Sequence, residues 1–523
     1  MLTISPLEWA AGWTKDVALA TRRELGSIMD PDARDSEKKQ HKKTSGGGYD
    51  VCFFFVNEES DMTVCVEETS FLVHRRVLEE NSDYFAAMFE CDMMESRQNV
   101  AHLHDFRAEI FESVLDFLYT SEFRLDYGTL EEVLEMANFL QVLSLLDHIA
   151  GLVDEKNCVT LFIMADKYGI SKVTDATGKV LSENYHRYLQ SKELSRLTKD
   201  QRERVRQRRY RHKPVVAAVN AHYVHYPEPG LRQFHSYDDK TDAWSRFTHL
   251  PSTAGRRGFG VAVLDNYLFV VGGHAKPRDY PRQFYSTGSK LGALQNQTMC
   301  YNTLTDTWSS TAPIQQARAY FGLVPCGDFL YAVAGFQYDD PIRSVERYDP
   351  RDNSWDFARD VPEGRTCYEP AVACMGDVYV NCEIKSDSDT FWLHRYSPAS
   401  NTWTAISELP TNRWRHCMAA VRDTVYILGA YQPGVDCFNV SSQQWFRVRL
   451  PRDIKIPYDR GCACLEDKMY VLDCEETLCH DVQTRKWTDQ LCQFPLGGFG
   501  IKAVTLYLPE RKKRDDGGGT ESE

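Results

Sequence analysis

The chain has 523 residues, which at roughly 150 residues per domain is enough for three or four domains. Its apolar fraction of 42% and charged fraction of 26% are those of a globular protein, and its net charge of −14 argues against generic nucleic-acid binding, which needs a basic surface. We expect no secretory leader and no membrane-spanning apolar run, and 16 cysteines are too few for a disulfide scaffold. We therefore expect free thiols and an intracellular protein that is cytoplasmic or also nuclear.

The two ends of the chain are predicted to be unstructured. Residues 1–48 close with a charged, lysine-rich stretch and three glycines, and residues 510–523 contain RKKR and a second glycine run. Neither stretch has the periodic apolar residues of a helix or strand. Each basic cluster is either part of a solvated linker or a nuclear import signal.

Residues 49–155 predict a compact domain of short strands followed by helices. The apolar run at residues 51–56 has strand length, and the alternation through residues 62–73 predicts a hairpin that turns near residues 67–69. Further along, apolar residues recur at steps of three and four, as on one helix face: Leu130, Val133, Leu134, Ala137 and Leu140. Thr129 is the predicted N-cap of this helix, and Glu132 would complete a capping box.

Three segments of this domain, in order, resemble a BTB (POZ) domain. They are FLVHRRVL from Phe71, SDYFAAMF from Ser82 and LDFLYT from Leu115. The resemblance implies a short sheet capped by helices and a homodimer formed through this domain. It also implies that Asp50 and Arg75 lie close together in the interior, where a charge is tolerable only when it is paired.

Residues 156–213 begin with NCVTLFIMAD from Asn157, which resembles the first helix of the BACK domain of kelch-like proteins. The segment is shorter than that domain, and the basic string QRERVRQRRYRHK replaces its later helices. This string is either a charged helix or linker face, or a nucleic-acid or import patch. The shortened region could also be a splice or gene-model product that does not fold.

Residues 214–509 contain an internal repeat. A ring residue is followed seven positions later by tryptophan in six places: Tyr237/Trp244, Tyr301/Trp308, Tyr348/Trp355, Tyr396/Trp403, Phe438/Trp445 and His480/Trp487. The tryptophans are 64, 47, 48, 42 and 42 residues apart, a period similar to that of a kelch β-propeller. Large aromatic residues at a constant register would fill the space between neighbouring blades.

A short apolar strand precedes each ring–tryptophan pair from the second unit onward. Only the strand of the second unit ends in two glycines, Gly272-Gly273, and residues 274–297 form a long insertion after it. The kelch family usually has two glycines at this point, so the repeat is degenerate. The N-terminal unit has too few strands before Trp244, and the C-terminal segment 499–508 offers one more. Joining the two removes an open sheet edge and completes a sixth blade. The predicted fold class is therefore multidomain: an α+β BTB/POZ domain, a truncated helical BACK segment and an all-β six-bladed kelch propeller.

These resemblances together imply a non-catalytic adaptor of a cullin-3 RING ubiquitin ligase. In that class the BTB domain and first BACK helices bind the cullin, and the propeller binds the protein substrate and raises its effective concentration. The cullin-contact pattern of the family is a hydrophobic residue, any residue and Glu, which Met93-Met94-Glu95 matches; Tyr119 also matches a cullin-contacting position. The alternative for Met93 and Glu95 is ordinary packing and solvation.

The resemblance also implies substrate contacts on the propeller loops. An arginine opens the first strand of several blades, and nearby rings are candidate aromatic walls: Arg256, Arg318, Tyr320, Arg365, Tyr368, Arg413 and Trp414. Several arginines around one opening would favour an acidic peptide or phosphopeptide. The alternatives are structural arginines that bond loop carbonyls, and rings that pack between blades.

Other functions have little support in the sequence. The signature motifs of hydrolases, P-loop proteins, zinc peptidases and zinc fingers are missing, and Cys462 with Cys464 lacks a second ligand pair for zinc. We expect no catalytic residues, no metal and no cofactor, and no nucleic-acid or membrane partner. The alternative function is a dimeric BTB–kelch scaffold without ligase activity, for example one associated with the cytoskeleton.

Overall fold

The structure, a computed structural model, describes residues 42–45, 50–53, 60–91, 94–221, 232–275, 293–337, 340–362, 365–383, 390–410, 416–429, 432, 434–451, 460–472, 477–495 and 500–510. The chain forms two compact units, Met1–Gly151 and Leu152–Glu523. The helical segment and the strand-rich region that follows it therefore belong to the same unit.

The first unit contains a five-stranded mixed sheet in the order β1-β2-β4-β3-β5. The strands are β1 Lys42–Ser45, β2 Asp50–Phe53, β3 Met62–Val66, β4 Thr69–Val73 and β5 Val100–Leu103. The turn between β3 and β4 falls where the sequence predicts it. Strand β1 is a correction, because it lies in the segment expected to be unstructured; it pairs with β2 through the main chain and therefore needs no apolar side chain of its own.

Six helices complete the first unit: α1 Arg75–Asn81, α2 Asp83–Glu90, α3 Met94–Gln98, α4 Ala108–Thr120, α5 Leu130–Phe139 and α6 Leu143–Gly151. The apolar stripe predicted on α5 is buried. The predicted capping box does not form, because the Thr129 hydroxyl donates to Asp126 (3.3 Å) and Glu132 accepts from Arg107 (3.0 Å).

The second unit begins with helices α7 Cys158–Lys167, α8 Ser171–Glu183, α9 Tyr185–Leu189 and α10 Lys199–Arg208, with a 3₁₀ turn at Glu193–Arg196. Thr198 and Gln201 form a capping box at the start of α10: Gln201 N donates to the Thr198 hydroxyl (3.2 Å), and Thr198 N donates to the Gln201 side chain (2.9 Å). The basic string is therefore a properly capped helix rather than a linker.

The rest of the second unit is six four-stranded antiparallel sheets. Blades 1 and 2 consist of β6 Lys213–Asn220, β7 Gln233–Asp238 and β8 Ala243–His249, completed by the C-terminal β31 Ile501–Leu508, and of β9 Gly260–Leu264, β10 Tyr267–Val271, β11 Thr298–Asn302 and β12 Thr307–Thr311. Blades 3 and 4 consist of β13 Gly322–Cys326, β14 Phe329–Val333, β17 Val345–Asp349 and β18 Ser354–Ala358, with a small extra hairpin of β15 Phe336–Gln337 and β16 Asp340–Pro341, and of β19 Arg365–Cys374, β20 Asp377–Glu383, β21 Phe391–Ser397 and β22 Thr402–Glu408. Blades 5 and 6 consist of β23 His416–Val421, β24 Thr424–Gly429, β25 Gly434–Asn439 and β26 Gln444–Arg449, and of β27 Gly461–Leu465, β28 Lys468–Leu472, β29 Thr477–Asp481 and β30 Lys486–Leu491.

The sheets close into a ring. Their first strands are neighbours in the order β9, β13, β19, β23, β27 and β31, and β31 lies next to β9 again. Strand β31 also pairs antiparallel with β6, from Ile501 opposite Asn220 to Leu508 opposite Lys213. The six-bladed propeller and its closure by the C-terminal strand are therefore confirmed.

The repeated aromatic pair is a cross-strand contact. Each ring residue on the third strand of a blade lies directly opposite its tryptophan on the fourth strand, as Tyr348 does opposite Trp355. The Trp355 indole N–H then reaches the carbonyl of Ala312 at the end of blade 2 (3.0 Å). The spacing of seven is therefore the register of one hairpin, and the tryptophan connects that hairpin to the preceding blade.

Candidate protein-interaction sites

The predicted cullin-contact pattern includes Met94 and Glu95, which lie at the start of α3. Met94 is the most exposed large apolar residue of the described chain at 69%, and Glu95 is exposed. Met93 lies outside the described residues. Burial and the negative charge of Glu95 both raise the pKa of Tyr84, so this carboxylate lies near the Tyr84 ring.

Phe139 extends this surface, although it lies off the apolar stripe that the sequence predicts for α5. Its ring lies 5.1 Å from that of Tyr84, and 38% of it is exposed. Sequence reasoning missed Phe139, because nothing in its immediate sequence distinguishes a ring at such a surface from one in solvent. Met94, Glu95, Tyr84 and Phe139 give this surface an apolar character with one negative charge, a combination suited to a protein partner.

Tyr119 lies near the end of α4 and is only partly exposed. Its hydroxyl accepts from the backbone N–H of His74 (3.0 Å) and lies 3.0 Å from the His74 Nδ1. Burial raises the pKa of this hydroxyl. Tyr119 is therefore held in place by His74, the residue that precedes α1.

Arg318 is a structural arginine that bonds loop carbonyls and does not lie on an open surface. It is fully buried and forms an ion pair with Glu346, which is also fully buried (2.6 Å). Its other donors reach the carbonyls of Ala334 (2.9 Å) and Ser344 (2.7 Å). A buried charge is stable only when it is paired in this way, so Arg318 holds the loops of blade 3 together and is not available to a ligand.

Arg256 lies in the connection between β8 and β9 and is half-buried. It is close enough to Arg232 to contribute to the lowered pKa of that guanidinium, whose main cause is burial. The next residue, Arg257, lies 5.8 Å from the centroid of the Tyr320 ring. The structure thus adds Arg232 and Arg257, which the sequence does not distinguish from surface arginines.

None of these three arginines forms an ion pair with a carboxylate among the described residues, and the Nε of each is buried without a partner there, although Arg232 also donates to the carbonyls of Pro251 and Ala254. Tyr320 itself is 94% buried beside Gly258, at a distance of 3.0 Å from the position a Cβ there would take. Tyr320 therefore packs between blades and does not form an aromatic wall of a substrate site. Partly buried guanidinium groups without a counter-charge favour an anion.

The remaining predicted substrate-contact residues cannot be compared with this group, because their side chains lie outside the described residues. Arg365 and Tyr368 lie on β19, but their side chains are outside the description, as are Arg413 and Trp414 altogether.

The two ends of the propeller differ in what covers them. Connections between successive antiparallel strands alternate between the two ends of a blade, so the β6–β7 and β8–β9 connections with Arg232 and Arg256 share one end. Helices α7 to α10 contact the hairpin turns at the opposite end. There Arg206 forms an ion pair with Asp328 (3.2 Å), and Gln190 donates to the carbonyl of Pro350 (3.3 Å). The arginine-rich end is therefore the one that the helices leave uncovered.

The cysteines of the described chain are free thiols. Cys462 and Cys464 lie on β27 beside Cys417 of the neighbouring blade, and the hydrogen bond with Cys417, followed by burial, raises the pKa of Cys462. Burial raises the pKa of Cys464 to about 12. Within the described ranges no group of three or more His, Cys, Asp or Glu residues is placed to hold a metal, and no helix there is long and apolar enough to cross a membrane.

Comparison with known proteins agrees with this architecture. Residues 54–157 match the model of the BTB/POZ domain, and residues 255–315 and 317–362 match that of the kelch motif. The chain therefore contains a BTB/POZ domain and kelch motifs, and it is similar to kelch-like proteins over most of its length.

Three relatives illustrate the breadth of this similarity. Kelch domain-containing protein 7A of Mus musculus is 29% identical, over 68% of this chain and 44% of that protein. Kelch-like protein 42 of Mus musculus is 28% identical, over 53% of this chain and 60% of that protein. Kelch-like protein 34 of Homo sapiens is 23% identical, over 86% of this chain and 92% of that protein. The chain thus spans about half the length of the first two relatives.

Proposed function

We propose that the protein is a substrate adaptor of a cullin-3 RING ubiquitin ligase, in which the first unit binds the cullin and the propeller binds the substrate. The observation that supports the proposal most strongly is the exposed surface of Met94, Glu95, Tyr84 and Phe139 on a BTB domain that precedes a closed kelch propeller. The protein would carry out no bond chemistry of its own. It would act as a homodimer through the BTB domain and place the substrate near the ligase.

The cullin contact can be tested by co-precipitation of cullin-3 with the full chain. We expect the double variant Met93→Ala, Glu95→Ala to lose roughly 30-fold or more in affinity, because truncating anchor residues commonly costs about 2 kcal/mol or more. Phe139→Ala should weaken binding in the same direction. Glu90→Ala is the matched control, since Glu90 is an exposed carboxylate on the neighbouring helix α2.

The outcomes of this experiment separate the two candidate functions. Sedimentation should still give a dimer for the double variant, because the substitutions lie away from the dimer surface that the family resemblance implies. If the unmutated chain does not bind cullin-3 at all, the adaptor proposal is abandoned and the dimeric scaffold replaces it.

We further propose that the substrate presents an acidic segment to Arg232, Arg256 and Arg257. The support is their partial burial without a described counter-charge, at the end of the propeller that the helices leave open. Arg256→Ala with Arg257→Ala should weaken binding of a fluorescent Asp/Glu-rich peptide at least about tenfold. Arg246→Ala, an exposed arginine on the outer strand β8, should leave binding unchanged. Equal binding of a neutral scrambled peptide would contradict this assignment.

A further inference from the structure

Helices α7 to α10 share one apolar core with the propeller. The helical residues of this core are Cys158, Val159, Phe162, Leu181, Tyr185, Tyr188, Leu194, Leu197 and Val205, and the blade residues include Leu264, Tyr267, Phe269, Leu330 and Tyr348. The His186 ring also stacks on the Tyr267 ring, with a centroid distance of 3.9 Å. The helical segment is therefore docked on blades 2 and 3 and is not a separate domain.

The hairpin turn between β9 and β10 receives this segment. Asp265, which is 4% exposed, accepts hydrogen bonds from His186 Nε2 (3.2 Å) and Arg206 Nε (2.6 Å). Burial alone would raise the pKa of Asp265, but these two partners lower it, so the carboxylate stays ionised. An ionised group in this interior is stable only while α9 and α10 remain docked.

Arg209, immediately after α10, joins three parts of the unit and is fully buried. It donates to the carbonyls of Ser182 at the end of α8 and Asp265 in the turn (2.5 Å), and to the Asn302 side chain on β11 (3.1 Å). Its guanidinium also lies 3.7 Å from the centroid of the Tyr267 ring. The basic string thus contains an anchor whose charge no nucleic acid or import receptor can reach.

Asn266, the second residue of the same turn, connects this anchor to the closing strand. Its side-chain amide donates to the carbonyls of Arg209 (2.8 Å) and Tyr507 (2.8 Å), and its side-chain oxygen accepts from the N–H of Tyr507 (2.8 Å). It is fully buried, and its φ of 55° lies in the left-handed region that asparagine tolerates better than most residues. One side chain therefore contacts both the helical segment and β31.

We propose that Arg209 and Asn266 form a latch that makes docking of the helical segment and closure of the propeller ring a single cooperative event. The chain connectivity supports this coupling, because α10 leads within a few residues into β6, the strand with which β31 pairs. The Tyr210 ring, next to Arg209, also contacts the Tyr507 ring edge-on at 5.2 Å. The latch places the seam of the substrate-binding ring under the control of the segment that precedes it, and it does not depend on the ligase function.

Hydrogen exchange of the full chain, followed by mass spectrometry of its peptides, tests the coupling. In Arg209→Lys, which keeps the charge but loses the planar fork, we expect exchange to rise at least about tenfold both in α8 and in β31, although Arg209 itself donates no hydrogen bond to β31. Asn266→Gly, which keeps the turn conformation and removes the amide, should raise exchange in β31 and α10 together. Strand β24, on the far side of the ring, serves as the internal reference.

Two control variants keep the test specific. Arg202→Lys changes an exposed arginine on the same helix and should alter neither α8 nor β31. Met375→Gly introduces glycine into the corresponding turn of blade 4, where Met375 is 66% exposed, and should leave β31 protected. A rise confined to the helices in Arg209→Lys, with β31 unchanged, overturns the latch. If Arg209→Lys does not fold, Asn302→Ala removes one acceptor of Arg209 and should give the same paired rise at smaller size.

Discussion

Blades 1 to 4 and blades 5 to 6 are built on the same aromatic pair but differ in the hairpin turn beside it. In blades 1 to 4 the ring is a tyrosine whose hydroxyl donates to a turn side chain: Asp242, Asp306, Asn353 and Asn401, at 2.8, 2.7, 2.9 and 2.8 Å. Each of these acceptors has a positive φ, which aspartate and asparagine tolerate.

Blades 5 and 6 lack both parts of this arrangement. Phe438 and His480 replace the tyrosine, and Gln443 and Arg485 occupy the positive-φ position. The Trp487 indole N–H of blade 6 is buried without a partner among the described residues, whereas Trp445 of blade 5 donates to the Ser407 hydroxyl of blade 4 (2.7 Å), as Trp355 does to its own preceding blade. The ring pairs nevertheless lie at similar distances, 5.2 Å in blade 5 and 4.7 Å in blade 6. The third and fourth strands of a blade therefore pair in the same register without the tyrosine–turn hydrogen bond, and we expect that bond to add stability where it is present.

The largest expected effect comes from opening the ring, which no turn can compensate. Deleting residues 499–523 removes β31 and leaves β6 as an unpaired edge at the seam. We expect calorimetry to show that the second unit loses its cooperative transition. A truncated chain that melts like the full chain would mean that closure adds little to stability.

Next in size is the contrast between two tryptophans. Trp355 is 96% buried and hydrogen-bonded, so Trp355→Ala should lower the free energy of unfolding by about 3–5 kcal/mol. Trp487→Ala should cost less, about 1–3 kcal/mol, because that ring is half-buried and makes no described indole bond. Denaturant unfolding measures both, and equal losses would show that blades 3 and 6 do not differ at this position.

Acidification should destabilise blade 6 through His480. Burial lowers the pKa of His480 below its usual 6.5, and the groups near it are Trp487, Tyr426 and Asp481. The unfolded chain then binds the proton more readily than the folded one, so stability falls as the pH drops below about 6.5. His480→Tyr should remove this part of the pH dependence. An identical slope for the variant and the parent between pH 5 and 7 would exclude the contribution of His480.

The smallest effect is a gain of stability. Gln443→Asn places a residue suited to a positive φ in the turn of blade 5 and should stabilise the second unit by roughly 0.5–1 kcal/mol. Asn401→Gln in blade 4 is the reciprocal change. The stability lost in Asn401→Gln should exceed the stability gained in Gln443→Asn by about 1 kcal/mol, because Asn401→Gln also removes the acceptor of the Tyr396 hydroxyl. Thermal unfolding of the two variants compares them directly, and a neutral Asn401→Gln would remove the distinction between the blades.

The close backbone approach at Gly272 and Gly273 could be predicted from the sequence. The sequence identifies them as the one intact glycine pair, and in the structure a Cβ on either would approach a neighbouring carbonyl oxygen to 2.7 or 2.8 Å. Phe139, Arg232 and Arg257 show the limit, because nothing in their immediate sequence separates a ring or guanidinium at a functional surface from one in solvent. Arg318 and Tyr320 have structural roles, and the other cullin and substrate residues named from the sequence remain predictions.

The sequence by itself determined the blades, because a ring and a tryptophan seven residues apart are opposite each other in one hairpin, and such a contact depends only on local register. It also determined the closing strand, since an N-terminal sheet short of one strand needs a partner for its free edge. Only the tertiary structure decided that Arg318 is a buried ion-pair partner and that the basic string is an anchor on blade 2. Those outcomes depend on which carbonyls and carboxylates a distant part of the chain brings to the guanidinium, such as Asp265 to Arg206 and Asn302 to Arg209. Desolvation and pairing of a charge are properties of the assembled interior, and no spacing along the chain contains them.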